Sequence, residues 1–152
     1  MLELLPLDDP DALARLYADP YIARIGHDHR PAAPIHHPQA RYLGAYRDHQ
    51  LVGAFLVIDS GFIECDLHAL LTRSALSVSR EFGRLCLAQV FANPAIQRAT
   101  AYIIDGLTAA RNYCLKLGFK PEGYRRDACI KHGALVGVQV LGITRLDWET
   151  IQ

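Results

Sequence analysis

The chain has 152 residues, 51% of them hydrophobic, and its 16 acidic and 16 basic side chains cancel. That length supports one domain, 1–152, with a substantial core. The charge balance speaks against a nucleic-acid partner or a polyelectrolyte tail, and no apolar run approaches the ~20 residues of a membrane span.

The opening, MLELLPLDDP, has acids and a proline where a secretion signal would have a basic region and a long apolar core. A cytoplasmic protein is therefore expected. Cys65, Cys86, Cys114 and Cys129 form no C-x-x-C pair, so a zinc ribbon is excluded and buried free thiols are expected. Residues 3–7 read as a short strand, with Pro6 at an edge or strand end. Asp8 or Asp9 caps a helix that starts near Pro10, carries Ala12, Leu13, Leu16 and Tyr17 as its apolar stripe, and stops at Asp19-Pro20. One more helical turn is expected over residues 21–25. Residues 27–39, HDHRPAAPIHHPQ, hold three prolines and four histidines. Regular structure is excluded there, and the histidine spacing matches no zinc pattern, so a substrate-facing loop and no metal are expected.

Residues 41–47 and 50–59 form a hairpin around Asp48-His49; LVGAFLVI in its second strand is apolar throughout and belongs inside the sheet. Residues 62–71 read as a strand running straight into a helix. Ile63, Cys65, Leu67 and Ala69 share one face, and Phe62, Glu64, Asp66 and His68 the other. Three ionisable groups thus stand in a row, roughly 7 Å apart. Ser74, Ser77 and Ser79 are all plausible caps for the helix, whose apolar positions are Val78, Phe82, Leu85 and Ala88. A helix start directly after a strand presents free N–H groups and suits an anion such as a pyrophosphate. Asn93-Pro94 ends this helix. Residues 97–104 form a strand and residues 107–117 a helix, with Gly118 as its left-handed C′ residue and Phe119 as the following hydrophobic contact. Residues 124–131 and 136–145 form a last antiparallel pair around His132-Gly133. The strand 136–145 is apolar enough to pair with a second copy, which makes a homodimer an expectation.

The tail carries Lys116-Leu117-Gly118-Phe119, then Glu122-Gly123-Tyr124-Arg125-Arg126, then Gly142-Ile143-Thr144-Arg145-Leu146-Asp147-Trp148. This series resembles the C-terminal half of the GCN5-related N-acetyltransferases (GNAT), and is most similar to the subgroup that acetylates the N-termini of ribosomal proteins. The opening DPYIARIGHD and the Glu64-x-x-x-His68 strand are more weakly similar to acetyltransferase-like proteins of tailed bacteriophages. The element order β-α-βββ-α-β-α-ββ matches the GNAT fold, an α/β fold with a mixed, mostly antiparallel sheet of six to seven strands and helices on both faces.

The resemblance implies transfer of acetyl from acetyl-CoA, as co-substrate, to a primary amine on a small molecule or a protein N-terminus. It implies that main chain at Ala69, Leu70 and Leu71 binds the pantetheine arm, with an N–H of Ala69 or Leu70 facing the developing oxyanion. Ser79, Arg80, Gly83 and Arg111 would serve the CoA phosphates. Glu64 is the first candidate base and His68 the second, and Tyr113 is the candidate acid for the departing thiolate. The nearest counterpart of the family's pyrophosphate loop is Arg80–Leu85, where Leu85 replaces a small residue, and TRSALSVS before it contains no glycine. A second reading follows: a catalytically inactive adaptor or virion protein on the same fold.

Overall fold

A computed structural model describes residues Met1–Gln152. Seven strands form one sheet in the order β1-β2-β3-β4-β5-β7-β6. They are β1 (Leu2–Pro6), β2 (Ala40–Arg47), β3 (Gln50–Asp59), β4 (Glu64–Leu71), β5 (Arg98–Ile104), β6 (Lys120–Lys131) and β7 (Ala134–Thr144). The helices are α1 (Pro10–Ala18), α2 (Pro20–Ala23), α3 (Ser79–Ala92), α4 (Thr108–Leu117) and α5 (Arg145–Thr150), and a 3-10 turn, Arg73–Val78, leads into α3.

The apolar run of β3 is buried because both faces of the sheet are covered. Phe55 and Val57 enter one core with Phe82, Leu87 and Trp148, on the side of α3, α4 and α5. Ala54 and Leu56 enter the other with Leu13, Leu16 and Ile22, on the side of α1 and α2. The Asp9 side chain caps α1 through the N–H groups of Asp11 and Ala12, and Asp19 does the same for α2. Gly118 closes α4 at φ 105°. The N–H of Phe119 donates to Cys114 O and the phenyl ring is buried, as the tail motif suggested.

The rest of that motif is also structural. The Arg145 guanidinium donates to the carbonyls of Phe91, Asn93 and Ile96, so it ties the C-terminus of α3 and the turn after it to the end of β7. It lies 5.3 Å from the Phe91 ring centre, and that ring stacks on Trp148 at 6.1 Å. Gly142 leaves room beneath the Arg98–Glu122 ion pair, whose atoms a Cβ there would meet at 2.4 Å.

Four expectations need correction. The closing strand ends at Thr144, because Thr144 and Asp147 form a capping box that starts α5. β7 is not an edge: β5 pairs with one side of it and β6 with the other, so it has no free ladder for a second copy. The segment after β4 winds as a 3-10 turn from Arg73 and becomes α-helical only at Ser79. The buried face of α3 is Phe82, Gly83, Cys86, Leu87, Val90 and Phe91; Leu85 and Ala88 point outward.

The one parallel pairing is β4 with β5, and it is short: Glu64↔Arg98, Cys65↔Ala99 and Asp66↔Thr100. Beyond Asp66 the two strands part. β4 follows β3 as far as Gly53↔Leu71, and β5 follows β7 as far as Ile104↔Val138. Ile63 O accepts from the N–H groups of Gln97 and Arg98, whereas Thr72 N donates to Val52 O. Ladder groups alternate in direction along a strand. The main chain of Leu67, Ala69 and Leu71 therefore faces the opening, and that of Leu70 faces β3. Ala69 is exposed in the middle of a buried strand.

Arg145→Ala removes a charged donor from three carbonyls, of which only that of Asn93 has another donor, the Ile96 N–H, at an expected cost of about 2–3 kcal/mol. Denaturant unfolding of the variant should show the loss in the midpoint, with the m-value unchanged.

Candidate active site

The parting of β4 and β5 opens a cavity of about 400 Å³ that passes through the sheet. The pairing Glu64↔Arg98 puts even-numbered residues of β4 and β5 on one face. His68, Tyr102 and Ile104 line the cavity on that face, with Ile25, His27 and Arg30 from the loop after α2. Leu67, Ala69, Ala101 and Ile103 line it on the other face, beside Gly83, Cys86 and Tyr113 of α3 and α4. A second cavity, about 500 Å³, adjoins it along the start of α3 and includes Tyr21, Leu71, Ser77, Ser79, Arg80, Glu81 and Lys116. The two share Ile25, Ala69, Ala110 and Tyr113. The unpaired main chain at Ala69 is thus where they meet.

Two side chains at this junction have clear electrostatics. Burial, with the charge of Arg30 second, holds the His68 imidazole below its ordinary pKa, so it is neutral near pH 7. The imidazole makes no hydrogen bond to another protein group and stands free to accept one. Burial pushes the Tyr113 phenol up, so it stays protonated; its O–H donates to Ser79 O at 2.6 Å. Cys114, next to it on α4, has its thiol pushed up to about 11 by burial and does not supply a thiolate at neutral pH.

His68, Ala69, Tyr113, Ser79, Arg80 and Leu71 all line one or both cavities. Glu64 lines neither. It sits in the closed part of the β4–β5 ladder, with Oε2 3.5 Å from Arg98 Nε, and Arg98 is also bound by Glu122. The first candidate base, Glu64, is therefore outside the opening, because the strands do not part until after Asp66. Asp66, on the same face, accepts a hydrogen bond from Ser60 Oγ, and burial raises its carboxyl. Leu70 is buried in the α1/α2 core with its carbonyl beside Gly53, so it is not available to the opening. Arg111 lines neither cavity; its Nε donates to Gln139 Oε1 on β7. Gly83 faces α4 rather than a phosphate: a Cβ there would meet the Tyr113 hydroxyl at 2.5 Å and Leu117 at 2.6 Å.

Several lining residues had no clear signal in the sequence. Ala109, Asn112 and Lys116 form one stripe of α4 with the expected Tyr113 along the second cavity, and their i, i+3, i+4, i+7 spacing could have flagged it. Arg24, which stacks over Tyr21 at 3.8 Å, also lines that cavity. Arg24, Arg80 and Lys116 make its rim basic against the single carboxylate of Glu81. Tyr102, Arg30 and Arg125 line the first cavity from three separate segments, which only the folded chain brings together.

No protein-family model matches the sequence, and no curated protein does. Solved structures do. A spermidine N-acetyltransferase from Vibrio cholerae, in complex with CoA and spermine, superposes with a TM-score of 0.82 over 97% of this chain and 98% of its own, at 14% identity. Another neighbour, assigned only provisionally as a phosphinothricin N-acetyltransferase, gives 0.77 over 95% and 98%, at 15% identity. The fold is therefore the GNAT fold expected from the tail.

Because the His68 pKa is lower in the folded chain than in the unfolded one, the unfolded chain binds the extra proton first on acidification. The stability this residue contributes is complete above the unfolded value of about 6.5 and is lost as pH falls from there through the folded value. His68→Gln should flatten that part of the stability–pH curve, measured by denaturant unfolding between pH 5 and 7.5.

Proposed function

We propose that this chain is an N-acetyltransferase that moves acetyl from acetyl-CoA to a primary amine. The observation that carries the reading is the opening between β4 and β5, with the Ala69 main chain exposed where two cavities from opposite faces of the sheet meet. The residues fit acetyl-CoA. A free strand edge at Leu67, Ala69 and Leu71 can pair with an amide-bearing chain as another strand would. The start of α3, where Val78 supplies no side-chain cap, faces the second cavity beside Arg24, Arg80 and Lys116. That combination suits a pyrophosphate.

Acetyl-CoA supplies a thioester carbonyl that an amine can attack. The chain supplies the rest. Neutral His68 accepts the proton that the amine loses as the C–N bond forms. The Ala69 N–H, held still by the β3 side of the strand, is the donor for the charge that develops on the carbonyl oxygen. Tyr113 is the one hydroxyl shared by both cavities. It can pass its proton to the sulfur as the C–S bond breaks, releasing its bond to Ser79 O. Glu64 has a structural part, as one of two carboxylates that fix Arg98 across the closed end of the ladder.

The acceptor is an amine, small or at a protein N-terminus; the likeness of the tail to the ribosomal-protein subgroup supports the latter. One observation favours the other reading, an inactive adaptor: the segment that would cradle a pyrophosphate is a 3-10 turn without glycine. Calorimetric titration with acetyl-CoA separates the two, since an adaptor that has lost the site shows no heat at millimolar ligand. In the enzyme reading, His68→Gln lowers kcat ~10²- to 10⁴-fold, whereas Glu64→Gln leaves kcat within a few-fold. Arg80→Ala and Lys116→Ala raise KM for acetyl-CoA while leaving KM for the amine unchanged.

A further inference from the structure

The face of the through-sheet cavity that carries His68 is charged with one sign. Its wall includes two guanidinium groups, Arg30 and Arg125, and no Asp or Glu. Neither guanidinium has a protein partner: the arginines in ion pairs are Arg41, Arg98 and Arg145. Arg125 reaches the cavity from β6. It pairs with Val138 of β7, which pairs with Ile104 of β5, so all three share the face of Tyr102 and His68. The charge of Arg30 acts on His68; at Tyr102, burial and the carboxylates of Asp66 and Glu64 outweigh the opposing charge of Arg125. His27 also lines this cavity, and its buried Nδ1 has no hydrogen-bond partner.

No carboxylate stands on the cavity wall, and most of those nearby are engaged elsewhere. Glu64 and Glu122 share Arg98. Asp66 takes the Ser60 hydroxyl and lies off the cavity wall. Asp28 accepts the N–H groups of His132 and Gly133, at 2.9 and 2.8 Å, and so docks the β6–β7 turn against the loop that holds His27 and Arg30. Asp105 is taken by Tyr124 and Gln139. An amine arriving with a second positive charge would find two unpaired guanidinium groups and no carboxylate on this wall. One arriving with an anionic group would find a guanidinium fork on either side.

We propose that the acceptor is an amine bearing an anionic group, carboxylate or phosphoryl, which Arg30 and Arg125 hold while its nitrogen reaches His68. A polyamine such as the spermine seen with the Vibrio cholerae neighbour does not fit this wall. The inference rests on the acetyl-transfer reading and names its substrate class.

The test uses the full chain with acetyl-CoA and acceptors of matched length that differ only at the far end: 4-aminobutyrate, n-butylamine and 1,4-diaminobutane. The expected kcat/KM falls in that order, with at least a 100-fold span from first to last. A fourth arm, 3-aminopropylphosphonate, tells the two anions apart by which has the lower KM. Arg125→Ala and Arg30→Ala should each lower the ratio of kcat/KM for 4-aminobutyrate to that for n-butylamine ten-fold or more. Arg125→Glu should narrow or reverse the preference. Arg125→Lys and Arg30→Lys keep the charge and should keep most of the selectivity. Thermal shift gives a second readout that needs no turnover: 4-aminobutyrate should raise Tm in the presence of CoA and 1,4-diaminobutane should not. If the diamine is used or bound as well as the amino acid, the proposal falls while the acetyl-transfer reading stands. If acetyl-CoA itself fails to bind, the parent reading falls and the proposal falls with it.

Discussion

Everything functional in this chain depends on two neighbouring strands being unable to stay together. β4 and β5 run parallel for three residue pairs. Past that point each is held by an antiparallel partner on its other side, and the two sub-sheets twist away from each other. The separation leaves ladder groups of Leu67, Ala69 and Leu71 without a strand to bond, in the centre of a sheet where such groups are normally satisfied. A protein that tolerates this has water or a ligand in the gap. The same separation joins the two faces of the sheet, so a group bound from the α3/α4 side and one bound from the α1/α2 side can touch at Ala69.

The closed end of the ladder has to resist the parting, and charge does that work. Arg98 stands between Glu64 and Glu122, so one guanidinium ties β4, β5 and β6 together across β7. Gly142 of β7 gives it the room. Farther along, Arg145 anchors the end of α3 from below. The motif residues Glu122, Gly142, Arg145 and Trp148 thus set the hinge of the opening rather than its chemistry. A tail can keep the signature of a fold while the catalytic wall above it changes, because the two are built from different residues.

This division explains what the sequence could and could not reveal. The Gly118-Phe119 cap, the apolar run in β3, the ionisable face of β4 and the order of elements were legible, since each depends on neighbours a few residues apart. Glu64 and His68 stand in one alternating row, and the sequence ranked Glu64 first as the base. What separates them is where β5 lets go, and that is decided by residues 30 to 80 positions away. Gly83 looked like the remnant of a phosphate loop because of the residues around it. Its actual neighbour is Tyr113 on α4. Arg30, Tyr102 and Arg125 share no pattern at all, and only the stacking of loop, β5 and β6 brings them to one cavity.

The missing glycine before α3 then takes on a different meaning. A glycine loop lets main chain approach a phosphate closely and bind it with N–H groups. Here the segment is a 3-10 turn pinned by the fully buried Ala75, and the glycine nearby, Gly83, instead leaves room for the Tyr113 hydroxyl to reach Ser79 O. That contact brings α4 against the start of α3 and lines up Asn112 and Lys116 beside Arg80. In the acetyl-transfer reading, anion binding passes from a main-chain cradle to side-chain cations on two helices and the α2 end. Partly exposed cations are screened by salt far more than buried N–H groups are. A site built this way therefore holds a nucleotide tail with an affinity that falls with ionic strength, and the loss of a loop motif need not mean the loss of the ligand.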